Sequence, residues 1–299
     1  MHLLMTGGTG LIGRRLCQHW LAQGHRLTVL SRRPAEVSRL CGTTVQGIAT
    51  LSELGDEPVD AVINLAGQPI AARPWTDARR KSLWASRIGL TENLLGWLEH
   101  RSLRPQVLIS GSAVGWYGDA GEREITEASQ PVHEDFASRL CGAWEETALR
   151  AESLGIRVAC VRTGLVLASD GGFLAQLKLP FKLGLGGPIG SGQQWMPWIH
   201  IDDQIALIDF ILHRSDARGP YNACAPQPVR NREFARAFGQ VLHRPAFMPL
   251  PAFVLRPLGE MSGLLLGGQR ARPARLQEAG FVFRFTDLST ALADLAPRL

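Results

Sequence analysis

Ser112 and Tyr117 stand five residues apart in SGSAVGWYGD, residues 110–119, directly after the apolar run Val107-Leu108-Ile109. A hydroxyl beside a phenol can orient a substrate oxygen and move a proton to or from it, so these two are the candidate catalytic residues. The competing reading is a turn whose serine satisfies its own backbone. A second group carries different chemistry. Gly7, Gly8, Thr9, Gly10, Leu11, Ile12 and Gly13 satisfy both G-x-G-x-x-G and G-x-x-G-x-x-G. Glycines at that spacing give a tight turn, bring backbone N–H groups close to a pyrophosphate, and let a helix pack closely on a strand. A third group is Ser31, Arg32 and Arg33, placed where a site for NAD would carry an acid. Arginine forks match phosphate oxygens, so NADP, with its 2′-phosphate, is the expected cofactor and NAD the less favoured one.

The elements that must hold these residues are legible around them. HLLMTGG reads as a strand ending in glycine. Ile12, Leu16 and Trp20 recur every four residues and predict a helix, which Gly24 stops. RLTVLSRR is the next strand, and strand, helix and strand in about thirty residues make a βαβ unit with parallel strands. DAVINLAG (60–67), QVLISGS (106–112) and IRVACVRTGLVL (156–167) continue the pattern. Between the last two, Leu140, Trp144 and Ala148 mark a helix that Gly155 ends. The fold class is therefore α/β, a Rossmann-type doubly wound parallel sheet. Ligands of such sheets lie beyond the carboxyl ends of the strands. Leu65, Ala66, Gly67, Ser110 and Thr163 lie at those ends and join the glycine turn as expected cofactor contacts, with Ser112 beside them.

Bulk properties exclude several classes. Hydrophobic residues make up 45% of the 299 residues and charged ones 20%, which supports a real core and opposes wholesale disorder. The net charge of +5 resides in residues 229–299, where ten arginines face five acids. Those arginines are scattered singly, which suits a solvated face or an anionic small molecule better than nucleic acid. Five widely spaced cysteines with no C-x-x-C predict reduced thiols, with neither a zinc site nor a disulfide framework. The first strand begins almost at the start of the chain and no run of 18 apolar residues exists, so the expectation is a cytoplasmic protein without signal peptide or membrane span. His200 and Asp202 in WIHIDD lack a third ligand, so no metal is expected; Asp202 or Asp203 reads as a helix N-cap. G-x-S-x-G is absent, which opposes a hydrolase elbow.

GGTGLIG, NLAG, SGSAVGWYGD, WIHIDD and GPYN together resemble the extended short-chain dehydrogenase/reductases, the group of the nucleotide-sugar epimerases. PVRNREFARAFGQVLHRPAFMPLP, LGGQRARPARL and EAGFVFRFTDLSTALADL narrow the resemblance to the atypical epimerase-family branch with a distinctive C-terminal domain. The resemblance covers essentially the whole chain. It implies an NADP-binding Rossmann domain over residues 1–165, completed by about 199–222. A smaller α+β, substrate-facing domain would then comprise 166–198 and 223–299. It also implies cofactor contacts from Ser86 and Arg87, a small sugar-derived or anionic substrate, and, by analogy, a homodimer.

The same resemblance calls for a Tyr-x-x-x-Lys pair, and here the chain departs. Four residues after Tyr117 stands Gly121, and four after Tyr221 stands Ala225; the only lysines are Lys81, Lys178 and Lys182. Spacing from Ser112 puts Asp135 and Arg139 in the pair's place. In ordinary members the tyrosine of V-Y-G-D is a wall residue, which sets a second role for Tyr117 beside proton donor. KLPFKLGLGGPIGSGQQWMPW (178–198) reads either as a substrate loop, with two lysines and an aromatic wall from Trp195 or Trp198, or as a connector between domains. Two functions stay open: an NADP-dependent oxidoreductase or epimerase-like enzyme, and an NADP-binding sensor or scaffold that has lost redox chemistry.

Overall fold

The computed structural model describes residues 1–299. Seven strands build the central sheet: β1 (His2–Thr6), β2 (Arg26–Leu30), β3 (Gln46–Ile48), β4 (Ala61–Asn64), β5 (Val107–Ala113), β6 (Arg157–Thr163) and β7 (Gly219–Ala223). All pair in parallel in the order β7-β6-β5-β4-β1-β2-β3. The order runs outward in both directions from the β1–β4 pair, which opens a crevice beyond their carboxyl ends.

The strands are apolar on both faces because helices cover both. Leu3, Met5, Ile109 and Val161 join the cluster around Trp20 on one face. Leu4, Val62, Leu108 and Val158 join Leu94 and Leu98 on the other. Each such leucine, isoleucine or valine contributes roughly 1.5–3 kcal/mol when fully buried. The helix Leu11–Ala22 packs Leu16, Cys17 and Trp20 onto the sheet. It ends at Gln23, and Gly24 follows at φ 80°, the left-handed value that glycine adopts without a Cβ penalty. After Thr76 the chain runs as the helix Asp77–Trp84, one π-helical turn over Ala85–Gly89, and the helix Leu90–Glu99.

A third apolar cluster lies outside the sheet. Leu174, Phe181, Trp198, Phe234, Phe238 and Leu292 gather helices Gly172–Lys182, Asn231–Val241 and Leu288–Leu295 into one core. Part of the stretch read as either substrate loop or connector is therefore helix; of its two tryptophans Trp198 is a fully buried core residue, and Trp195 is the one that lines a cavity. Short pairings join this layer to the sheet's carboxyl edge. Leu165–Leu167 pairs with Trp198–His200, and Trp195–Met196 with Val229–Arg230. The helix Ile201–His213 is capped by His200, whose Nδ1 accepts from the Asp202 N–H at 3.1 Å. Neither aspartate is the cap. The Asp203 carboxylate instead accepts from the backbone N–H groups of Arg284 and Phe285, tying the C-terminal segment to the helix. All five cysteines are buried free thiols, and no helix is long and apolar enough to cross a membrane.

Candidate cofactor and substrate site

The glycine turn is built by exclusion of side chains. Gly7 has φ +72°, and a Cβ there would stand 2.7 Å from the Leu65 carbonyl carbon and 2.8 Å from the Ala66 nitrogen. A Cβ on Gly13 would stand 2.3 Å from the Gly7 carbonyl oxygen. The turn thus lies directly against the end of β4, with Leu65 and Ala66 as its floor. Gly10 is the N-cap of Leu11–Ala22 and no side chain caps that end. The first-turn N–H groups of a helix have no intrahelical acceptors, and the helix dipole adds partial positive charge to them. Thr9, Leu11 and Ile12 are half-buried around this open terminus and Gly10 is exposed.

At the end of β2, Ser31 Oγ accepts from the Arg33 N–H at 3.1 Å, and Arg33 pairs with Glu36 at 3.1 Å. Arg32 is exposed and forms no ion pair, so of the two it offers the free guanidinium. Sequence reasoning missed a third cation, Arg14, directly after Gly13. It is half-buried with an unpartnered, buried Nε, and it lies near enough to Cys41 to oppose the burial of that thiol.

Below the turn, hydroxyls and amides tie the strand ends together. Thr6 Oγ1 donates to Asn64 Oδ1 at 2.8 Å, and Asn64 Nδ2 donates to Thr91 Oγ1 at 2.8 Å and, more weakly, to Ser110 Oγ at 3.4 Å. Ser110, expected as a cofactor contact, is completely buried in this set, and its hydroxyl is not exposed at the strand end. Ser86 accepts from the Gln68 N–H and donates to the Leu83 carbonyl, in the π-helical turn. Arg87 donates to the Gln68 carbonyl and lies so close to Gly67 that a Cβ there would meet its guanidinium carbon at 2.8 Å. Ser86 and Arg87 thus hold the loop after β4 in place.

The proposed catalytic pair sits in a closed network. Ser112 Oγ donates to Glu145 Oε1 at 2.6 Å. Glu145 forms a two-pronged pair with Arg162, Nε to Oε1 at 2.8 Å and Nη2 to Oε2 at 2.7 Å. Arg162 Nη1 donates to the Tyr117 hydroxyl at 2.9 Å, and that hydroxyl lies 2.8 Å from its acceptor Asn222 Oδ1 and 3.0 Å from the Thr126 carbonyl. The Arg162 guanidinium stacks 3.6 Å above the Trp116 ring. Burial pushes the Tyr117 pKa up to about 12, against the opposing pull of Arg162. Tyr117 is wholly buried with its hydroxyl fully engaged, so it does not face the crevice as a proton donor must. Ser112 is 5% exposed with its one proton committed to Glu145, so it has no proton left for a substrate carbonyl. Glu145, Arg162 and Asn222 were missed from sequence; the one signal was an arginine inside the apolar strand VACVRT.

Beyond β5 and β6 opens a cavity of about 1140 Å³, whose floor includes the paired strand ends Ala113 and Thr163. Pro197, Met196, Phe173 and Leu177 line it from the outer layer, with Leu264 to Leu266. No lysine or arginine lines it; Lys178 and Lys182 lie on the helix Gly172–Lys182 outside the lining.

Residues 3–224 match the model of the NAD dependent epimerase/dehydratase family. The chain belongs to that family. Residues 250–295 match a domain of unknown function, DUF1731. Epimerase family protein YfhF of Bacillus subtilis (strain 168) is 38% identical, covering 99% of this chain and 98% of its own. The chloroplastic homolog of epimerase family protein SDR39U1 from Arabidopsis thaliana is 38% identical, covering 98% and 86%. A crystal structure of human epimerase family protein SDR39U1 (isoform2) with NADPH superposes with a TM-score of 0.90 at 35% identity, covering all of both chains. The extended short-chain dehydrogenase/reductase resemblance and the Rossmann-type NAD(P)-binding fold are thereby established.

In this epimerase-family chain the helix Phe136–Leu149 turns Ala137 and Cys141, four residues apart, toward the cavity. Asp135, expected from spacing at the first position of the pair, is the N-cap and accepts from the Ser138 N–H at 2.8 Å; Arg139 is exposed. Asp135 lines the cavity together with Ala137 and Cys141, and Arg139 does not. Burial pushes the Cys141 pKa up to about 12, so it is a neutral thiol at pH 7. Elsewhere, Asp294 joins His200 and Asp202, with ligand atoms within 4.8 Å of one another. Arg284 and Arg298 hold those carboxylates at 3.1 and 2.7 Å, which makes the cluster an ion-pair network around the C-terminal helix.

Proposed function

We propose that this epimerase-family chain is an NADP(H)-dependent oxidoreductase of the epimerase type, acting on a small molecule held in the cavity beyond β5 and β6. The observation that carries the reading is the uncapped glycine turn opening on the same sheet edge as that cavity. The residues fit the cofactor: a side chain on Gly7 or Gly13 would fill the cradle, and Arg32 offers a free guanidinium. The backbone from Gly10 to Gly13 would hold the pyrophosphate, and Arg32 the 2′-phosphate. The NADPH in the related human structure supports NADP over NAD. Bound NADPH supplies a hydride to a substrate carbon next to oxygen. Thr163 and Ala113 orient the substrate at the strand ends, the apolar walls exclude bulk water from it, and water at the mouth supplies the proton.

A second reading, a redox-silent NADP-binding sensor, is favoured by Ala137 and Cys141 at the cavity-facing positions and by the closed network around Tyr117. Deuterium at C4 of NADPH distinguishes the two. Transfer of the label into a product from a metabolite extract is expected. No transfer across a broad extract, from protein shown to bind NADPH, overturns the first reading, and a partner captured only at one cofactor state then supports the second.

A further inference from the structure

We infer that the molecule taken by the cavity is an uncharged, largely apolar carbonyl compound of quinone type, and not a nucleoside-diphosphate sugar or another anion. The inference rests on the functional reading above and names its substrate class. Charge is the first argument. A diphosphate buried in a protein needs cations or many N–H donors, because removing it from water is costly. The lining has no lysine or arginine, and its charged side chains include three carboxylates, Asp119, Asp135 and Glu260.

Those carboxylates do not call for a cation either. Asp119 accepts from the backbone N–H groups of Gly121 and Gly268. Asp135 accepts from Ser138, and Glu260 from the Phe136 N–H and from Arg80. The wall amides are likewise engaged. Gln194 Nε2 donates to the Ile189 and Leu265 carbonyls, Asn231 Oδ1 accepts from the Ile189 N–H, and Gln269 Nε2 donates to the Gly118 carbonyl. What remains is a largely apolar wall, with the amide oxygens of Gln194 and Gln269 and exposed His133 and Gln176 as uncharged or weakly basic polar handles.

Access follows the same chemistry. Leu250 lines the cavity, is 38% exposed, and lies on a segment hydrogen-bonded along residues 186–190. Leu183, Leu185, Phe247, Met248 and Phe253 are exposed on or next to the same two segments, so apolar surface continues from the lining residue Leu250 along the chain. The cavity's volume, about 1140 Å³, lies just above the usual range for small-molecule sites, roughly 300–1,000 Å³, which leaves room for a fused-ring ligand beside a nicotinamide. A quinone also matches the lack of a protein acid. Hydride from NADPH adds to the quinone, NADPH becomes NADP⁺, and the resulting hydroquinone anion takes its proton from water.

Calorimetric titration of the full-length protein, loaded with NADP⁺, with menadione and separately with UDP-glucose tests this. Menadione is expected to saturate a single site and to bind at least about tenfold tighter than UDP-glucose. Leu177→Asp and, on a separate wall segment, Leu265→Asp each put a carboxylate on the apolar lining and are expected to weaken menadione about tenfold. NADP⁺ affinity stays unchanged in both, and Leu177→Met keeps wild-type menadione binding; if one aspartate variant fails to fold, the other carries the test. UDP-glucose binding as tightly as menadione, no saturable menadione binding, or indifference to a folded aspartate variant overturns the inference. NADP⁺ binding is measured first on the same protein. Its failure refutes the cofactor reading separately, and the two titrations are run in either case.

Discussion

The carboxyl ends of β1 and of the β5–β6 pair lie on one edge of the sheet and treat their polar groups in opposite ways. At β1 the chain removes side chains: Gly7, Gly10 and Gly13 leave a helix terminus uncapped and its N–H groups open. At β5 and β6 the chain fills the space with charge and then closes it, joining Ser112, Glu145, Arg162, Tyr117 and Asn222 into one buried network. The contrast teaches that hydroxyls near a ligand site are not thereby reactive. The open end has unmet hydrogen-bonding capacity and is suited to bind an anion. The closed end has none, and it stiffens the wall against which the cavity forms.

Breaking the closed end should cost stability, and breaking the open end should cost binding. The largest effect is expected from Glu145→Gln, which leaves the Arg162 guanidinium buried without a counter-charge. Destabilisation of about 3–5 kcal/mol is expected in denaturant unfolding. Restoration by adding Arg162→Met would confirm that the charge, and not the shape, is at fault. Next comes Gly13→Val, whose Cβ meets the Gly7 oxygen at 2.3 Å and the Gly8 Cα at 2.6 Å. NADPH affinity should fall by about a hundredfold, near 2.7 kcal/mol. Retained binding would place the cofactor elsewhere.

Tyr117→Phe is expected to cost about 1–3 kcal/mol of stability, because Arg162 Nη1 and Asn222 Oδ1 lose a buried partner. It should leave hydride transfer unchanged in single-turnover measurements. Loss of transfer in a folded variant would reinstate the phenol as a proton donor. Arg32→Ala should reduce the preference for NADPH over NADH by about tenfold, since one charge-assisted contact is lost.

The smallest expected effect is on pH dependence. Burial holds the His200 pKa below its usual 6.5, against the pull of Asp202 and Asp294. The native state then binds fewer protons than the unfolded one between the folded pKa and 6.5. The contribution of His200 is complete above pH 6.5 and declines as pH falls below it. A flatter stability profile between pH 7 and 5 in His200→Asn would show this, and identical profiles would contradict it.

What was legible in the sequence was local. Glycine spacing, the four-residue stripe Ile12-Leu16-Trp20 and the stops at Gly24 and Gly155 all act within a turn or two of chain, and the structure carries them as read. The partners of Ser112 and Tyr117 are 33 and 105 residues away, and nothing in SGSAVGWYGD announces them. That Ala137 and Cys141 join Asp135 in the cavity lining while Arg139 does not was hidden for a similar reason. The spacing runs through the loop between Tyr117 and Asp135, whose path is set by contacts such as Val132 N–H to the Tyr117 carbonyl and not by local propensity. The absence of cations from the cavity was equally hidden, because Lys178 and Lys182 sit in a stretch whose helical form turns them out of the lining.

The comparison between the open and the closed strand ends turns on what the open one binds. Calorimetric titration of the wild-type protein with NADPH and with NADH addresses this directly. The glycine turn with a free Arg32 beside it predicts NADPH binding at least about tenfold tighter than NADH. NADH binding as tightly as NADPH, or neither nucleotide binding at all, would contradict it.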